Sequence, residues 1–171
     1  MEPVVNPTAL DPLPAIEAIR QLKARYCRFV DTKQWERLKA LFAPDAQFDG
    51  FGSVPDGTDP ATFVSAISKR LAQAITVHHV HAPEIVFLEP QRARGVWAMM
   101  DYVDFQAGGQ AKGTGAGRGW IGWGYYEEEY ACLDGVWLIS YMRLTRQRMD
   151  ELTADHPEAK FSRHGPATDW L

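Results

Sequence analysis

A chain of 171 residues, 46% of them apolar and including six Trp, six Tyr and eight Phe, has the material for one domain around a single core. The net charge of -4 offers no basic surface to nucleic acid or to an anionic membrane, and the one short run of like charge is Glu127-Glu128-Glu129, so the expected ligand is small, neutral or apolar. Cys27 and Cys132 show neither metal-site spacing nor disulfide density and read as reduced packing residues; residues 1–14 lack the pattern of a signal peptide or membrane span, which makes the cytoplasm the expected location.

After a proline-rich lead, Ile16, Ile19, Leu22, Tyr26, Phe29 and Val30 recur at three- and four-residue steps, the stripe of an amphipathic helix with Tyr26 near its centre. The pattern breaks at Asp31-Thr32 and restarts in Trp35, Leu38, Leu41 and Phe42, predicting a second, shorter helix ended by Pro44. Residues 45–58 carry aromatics and glycines, and Asp59-Pro60 caps a third helix marked by Phe63, Ile67 and Leu71. Residues 75–88, 93–105, 119–132 and 136–149 are long extended runs. Asp134-Gly135 is a hairpin turn signal between the last two, and the glycine-rich residues 108–119 read as a long connection. Helices followed by a meander predict an α+β domain, three N-terminal helices lying on a curved antiparallel sheet with a cavity between. The expected division is an N-terminal extension (1–13), the domain itself (14–149) and a polar C-terminal tail (150–171) containing His156 and His164.

Three of the five histidines fall in His78-His79-Val80-His81, inside the first extended run. Histidine exchanges protons near neutral pH, so one held on a strand and facing a cavity can act as a general base. On a strand His79 and His81 share one face and His78 takes the other, which leaves a choice between them. Asp101 alternates with Trp97, Met99, Val103 and Phe105 on an apolar face, so it either needs a buried partner such as a neighbouring histidine or arginine, or sits at a solvated strand end. Asp31 could orient a histidine, or merely cap the second helix with Gln34 in a capping-box arrangement. Tyr26 is core or a cavity hydroxyl; Arg146 shares parity with Leu138, Met142 and Leu144, yet Arg143 and Arg148 make a solvated basic edge an alternative. Zinc binding is a rival use of His79 and His81, but no third ligand has suitable spacing, so no metal is expected.

These residues resemble the SnoaL-like branch of the nuclear transport factor 2-like (cystatin-like α+β cone) superfamily over residues 14–149. The stretches that carry the resemblance are Ala18-Ile19-Arg20-Gln21-Leu22-Lys23-Ala24-Arg25-Tyr26, Asp31-Thr32-Lys33-Gln34-Trp35, His78-His79-Val80-His81-Ala82-Pro83-Glu84-Ile85, and Tyr130 through Trp137. Within the superfamily the chain resembles the bile acid 7α-dehydratase group and, more distantly, scytalone dehydratase-like proteins. The resemblance implies a catalytic set of His78, Asp31, Tyr26 and Asp101, with Arg146 and His81 as substrate-binding residues. It ranks His78 above His79, which is left as packing or solvent. Val30 and the stretch Gly119-Trp120-Ile121-Gly122-Trp123 depart from scytalone dehydratase, so scytalone is not the expected substrate; Trp120, Trp123 and Phe51 would instead wall an apolar pocket.

The expected activity is cofactor-independent dehydration of a small cyclic hydroxy-carbonyl compound of steroid, polyketide or aromatic type, by His-mediated proton abstraction. The alternatives are an isomerase or cyclase using the same base, and a non-catalytic module that binds a hydrophobic ligand or serves as a small subunit. Exposed tryptophans (Trp120, Trp123, Trp137) on an open sheet face predict a homo-oligomer, dimer or trimer.

Overall fold

The computed structural model describes residues 12–105 and 118–158; most of the glycine-rich connection, the tail from 159 onward with His164, and the extension up to 11 lie outside the described residues. Helix α1 (Leu13–Asp31) buries the predicted stripe of Ile19, Leu22, Tyr26, Phe29 and Val30. It ends in a Schellman motif, with Gln34 N–H donating to Phe29 O at 2.8 Å and Lys33 N–H to Val30 O at 3.2 Å. Lys33 takes the left-handed position (φ 60) that glycine usually fills. This closure leaves Asp31 on the last helical residue.

The second helix is shorter than its apolar pattern predicts: α2 is Trp35–Lys39, and Phe42 opens a strand, β1 (Phe42–Asp49), that runs through Pro44. The register of β1 shifts between Phe42 and Gln47, so Pro44 falls where no ladder hydrogen bond is lost, and β1 is an edge strand. Helix α3 (Pro60–Leu71) begins as predicted, with Asp59 Oδ1 accepting from the N–H groups of Ala61 and Thr62 at 2.9 and 3.0 Å.

Strands β2 (Ile75–Glu89), β3 (Arg92–Asp104), β4 (Gly119–Leu133) and β5 (Val136–Leu152) follow the four extended runs, and β5 takes in the first residues assigned to the tail. The β4–β5 turn places Asp134 and Gly135 at φ 50 and 81, as a tight hairpin requires. Sheet order is β1-β5-β4-β3-β2. It is a mixed sheet rather than a purely antiparallel one, because β1 pairs with β5 in parallel. The helices cover one face, and the core between them is closed by aromatic packing such as the stacked rings of Phe48 and Phe63, 3.9 Å apart. A buried pair, Arg118 with Asp104 at 2.7 and 2.9 Å, ties the start of β4 to the end of β3. Cys27 and Cys132 are free thiols. No helix of the described residues is long and apolar enough to cross a membrane.

Candidate active site

Strand alternation settles which histidine faces inward. Along β2, Thr76, His78 and Val80 turn toward the helices while Val77, His79 and His81 are exposed on the outer face. The rings of His79 and His81 sit 6.3 Å apart there, so His81 does not reach the cavity: it lies three residues from His78, an odd step that puts it on the opposite side.

Asp31 meets His78 across the groove between the end of α1 and β2. Its Oδ1 lies 2.7 Å from His78 Nδ1 and its Oδ2 accepts from the His78 backbone N–H at 2.9 Å. One carboxylate thus fixes both the ring and the chain that carries it. With Nδ1–H donating to Asp31, Nε2 is left as the basic nitrogen. Asp31 caps nothing: the N-cap of α2 is Gln34.

Lys33, just beyond Asp31, donates to Thr76 Oγ1 at 2.8 Å, and burial pulls its ammonium down to about 8 although Asp31 opposes the shift. Between pH 8 and its ordinary 10.5 the unfolded chain therefore holds a proton that the folded protein has released. Stability contributed by this position rises with pH across that window, and the cost of burying the charged form is fully present below it. In urea unfolding, wild type should gain on Lys33→Met as pH is raised from 7.5 to 10; a constant difference would refute the linkage.

Asp101 is 3% exposed, so it is no solvated strand end, and its partner is Arg146 on β5. The guanidinium grips it through two hydrogen bonds of 2.6 and 2.7 Å, and Trp120 Nε1 approaches Asp101 Oδ2 at 3.4 Å. Both Asp101 oxygens are thus engaged by Arg146, and of the two aspartates weighed as the orienting acid it is Asp31 that meets the imidazole. Gly122 makes the room for this pair: a Cβ there would stand 2.2 Å from Arg146 Nη1 and 2.5 Å from Asp101 Oδ1. Gly122→Ala should force the pair apart and cost about 1–3 kcal/mol, as overpacking does, seen as a lower urea midpoint; an unshifted midpoint would mean that the pair adjusts freely.

Two phenols form the floor. Tyr26 and Tyr126, each 2% exposed, meet edge to face with centroids 5.8 Å apart. Burial pushes both hydroxyls well above their ordinary range, a hydrogen bond from Tyr126 opposing the rise at Tyr26, so both are neutral donors at any physiological pH. Beneath them Lys23 ion-pairs with Glu128, both side chains fully buried, with the ammonium 4.1 Å from the Tyr26 centroid and 3.4 Å from that of Tyr126. Glu128 also accepts from Tyr130, whose oxygen accepts from Trp97 Nε1 at 2.7 Å.

Together these groups enclose a cavity of about 340 Å³, at the lower end of the range for small-molecule sites. Tyr26, Phe51, His78, Asp101, Trp120 and Arg146 all line it, as do Tyr126 and Arg70, which sequence reasoning missed. Trp123 does not. It is three residues from Trp120, turns to the other face and lies under Arg148, 5.6 Å away, so only one of the two tryptophans walls the pocket. Tyr126 could have been found by parity, since the even positions Gly122, Gly124, Tyr126, Glu128 and Tyr130 of β4 are the buried ones. The same parity shows Glu128 to be a buried member of what reads as a surface run of acids. Among the described residues no group of three or more His, Cys, Asp or Glu could hold a metal ion.

A family model described as a SnoaL-like domain matches residues 11–143. The protein named "Probable cyclase FGR4" of Gibberella zeae is 26% identical over 149 residues, covering 77% of this chain and 91% of that protein. Among solved structures, a type-2 hexachlorocyclohexane dehydrochlorinase (LinA) superposes with a TM-score of 0.73 at 21% identity, covering 89% of this chain and 98% of its own. A scytalone dehydratase-like protein of Novosphingobium aromaticivorans superposes with a TM-score of 0.67 at 18% identity, covering 85% and 97%. At those identities the two structures speak for the shared fold alone.

Proposed function

The chain belongs to the SnoaL-like domain family, and we propose that within it the protein is a cofactor-independent lyase that removes water from a small cyclic hydroxy-carbonyl compound. Family membership and the relative named as a cyclase support an enzyme that converts small molecules. The observation that carries the finer reading is the His78–Asp31 dyad on the wall of an apolar cavity whose floor offers neutral phenols. A non-catalytic binding module would turn His78 into the core, whereas His78 and Tyr26 both line the cavity.

In this reading Nε2 of His78 takes a proton from carbon α or vinylogous to the carbonyl. The C–H electron pair moves into the carbonyl system, and Asp31 stabilises the imidazolium as it forms. Tyr26, backed by Tyr126, donates to the developing enolate oxygen or to the departing hydroxyl. The enolate then collapses, the β C–O bond breaks, and the hydroxyl leaves as water with the proton returned by His78. Asp101 holds Arg146 in place beside the substrate. The relative named as a cyclase favours a second reading: the same proton abstraction followed by aldol ring closure.

The test is a panel of hydroxylated steroid, polyketide and aromatic ring carbonyls, free and as coenzyme A thioesters, followed by mass spectrometry for loss of water and, in D₂O, for deuterium uptake beside the carbonyl. Water loss supports the dehydratase; exchange with ring closure supports the cyclase. Neither water loss nor exchange across the panel would sink the enzyme reading. Assembly as a dimer or trimer belongs to the same proposal, supported by the exposed Val77, Val96 and Tyr125 on neighbouring strands rather than by Trp120, which faces inward.

A further inference from the structure

Besides His78, one acidic and two basic side chains line the cavity: Asp101, Arg146 and Arg70. The first two neutralise each other through a two-point ion pair, so Arg146, although cationic, is not available to hold a substrate carboxylate. Arg70 differs. It stands in the last turn of α3, half-buried, with its guanidinium 5.4 Å from the centroid of Trp120. Among the described residues no carboxylate lies within ion-pairing distance of it. Residues 106–117, which continue from Phe105 where that ring packs 5.6 Å from Trp120, contain neither Asp nor Glu.

A guanidinium within cation–π range of an indole is drawn to that ring, and such a contact uses none of its N–H donors, which can fork a carboxylate or a phosphate. Partial burial strengthens that attraction over an exposed pair, and among the described residues no ion pair compensates the Arg70 cation. The depth of the cavity gives the site a polarity. Tyr26 and Tyr126 are buried at the floor, whereas Gly52 and Met149 are exposed at the mouth, and Arg70 with Trp120 is intermediate.

The geometry points to an anionic substrate: a ring compound whose carbonyl sits among the phenols and His78, and whose carboxylate or phosphate is held between floor and mouth by Arg70. The inference rests on the enzyme reading and narrows its substrate class. It also overrides the neutral or apolar ligand expected from whole-chain charge, because a net charge of -4 does not describe the lining of one cavity. The anion can belong to the ring itself or to the coenzyme A portion of a thioester.

Calorimetric binding of 2-naphthoate, its methyl ester and free coenzyme A to wild type and to Arg70→Gln separates these sources. If the ring bears the anion, 2-naphthoate binds wild type about ten-fold or more tightly than the ester, the effect of one charge-assisted hydrogen-bond pair, and Arg70→Gln abolishes the preference while the ester binds as before. If a carrier bears it, coenzyme A binds wild type and weakens by a similar factor in the variant. Equal binding of acid and ester together with no Arg70-dependent binding of coenzyme A overturns the inference, as does a preference that survives the substitution. His78→Ala keeps the acid preference if Arg70 acts as stated, so loss of the enzyme reading and loss of this one are told apart. Wild type that dehydrates neutral substrates without any anion preference discards only the latter.

Discussion

Replacing His78 with alanine should lower turnover of a dehydrated substrate by roughly 10²–10⁴-fold, the usual contribution of a positioned proton-transfer group. The loss should fall on kcat more than on KM, since the imidazole is one lining group among many and its task begins when the C–H bond stretches. The fold should survive, because the Asp31 carboxylate that loses its partner is 23% exposed and keeps the backbone N–H of residue 78. Steady-state kinetics beside a circular dichroism spectrum would check this. A His78→Ala protein that folds and turns over at the wild-type rate would remove His78 as the base.

The largest effect on stability is expected at the floor of the cavity. Lys23→Met leaves the Glu128 carboxylate fully buried without its counter-charge, and breaking a buried pair from one side costs about 3–5 kcal/mol. Against the roughly 5–15 kcal/mol of net stability typical of a domain, that is a large fraction. Adding Glu128→Gln should restore a large part of it, since an amide accepts from Tyr130 without requiring a cation, and the two substitutions should be strongly non-additive. Urea midpoints for the two single variants and the double would decide; a Lys23→Met midpoint that stays near wild type would show that water or another group reaches Glu128.

Much of this was legible in the chain. The 3.6-residue stripes of α1 and α3, the Asp59-Pro60 start and the Asp134-Gly135 turn carry their own local physics, and each lies where the pattern puts it. Strand β1 was hidden because Leu41 and Phe42 extend the apolar spacing of α2, and because its partner β5 lies far along the chain, so no local signal announces a parallel pairing. Within the site, parity was the reliable guide. It separates His78 from His79 and His81, brings Asp101 and Arg146 to one face, and would have excluded Trp123. His81 entered the expected site from resemblance against that parity. Arg70 was readable too, three residues past Ile67 and seven past Phe63 on the buried stripe of α3. What periodicity could not supply was the pairing: which aspartate meets the histidine depends on where α1 stops, and a lysine in the left-handed position sets that stop.

The separation along the chain of the groups that meet in the cavity has a consequence in time. Asp31 and His78 are 47 residues apart, and Asp101 and Arg146 are 45 apart. A helix turn forms within about a microsecond, but contacts at such separations await closure of long loops and correct pairing across the whole sheet. Neither pair can exist in a species whose helices have formed but have not met the sheet, since the dyad needs α1 on β2 and the Asp101–Arg146 pair needs β3 and β5 in one sheet. Such a species would be inert however native its helical content, and the first appearance of the dyad would coincide with the docking of α1 onto β2.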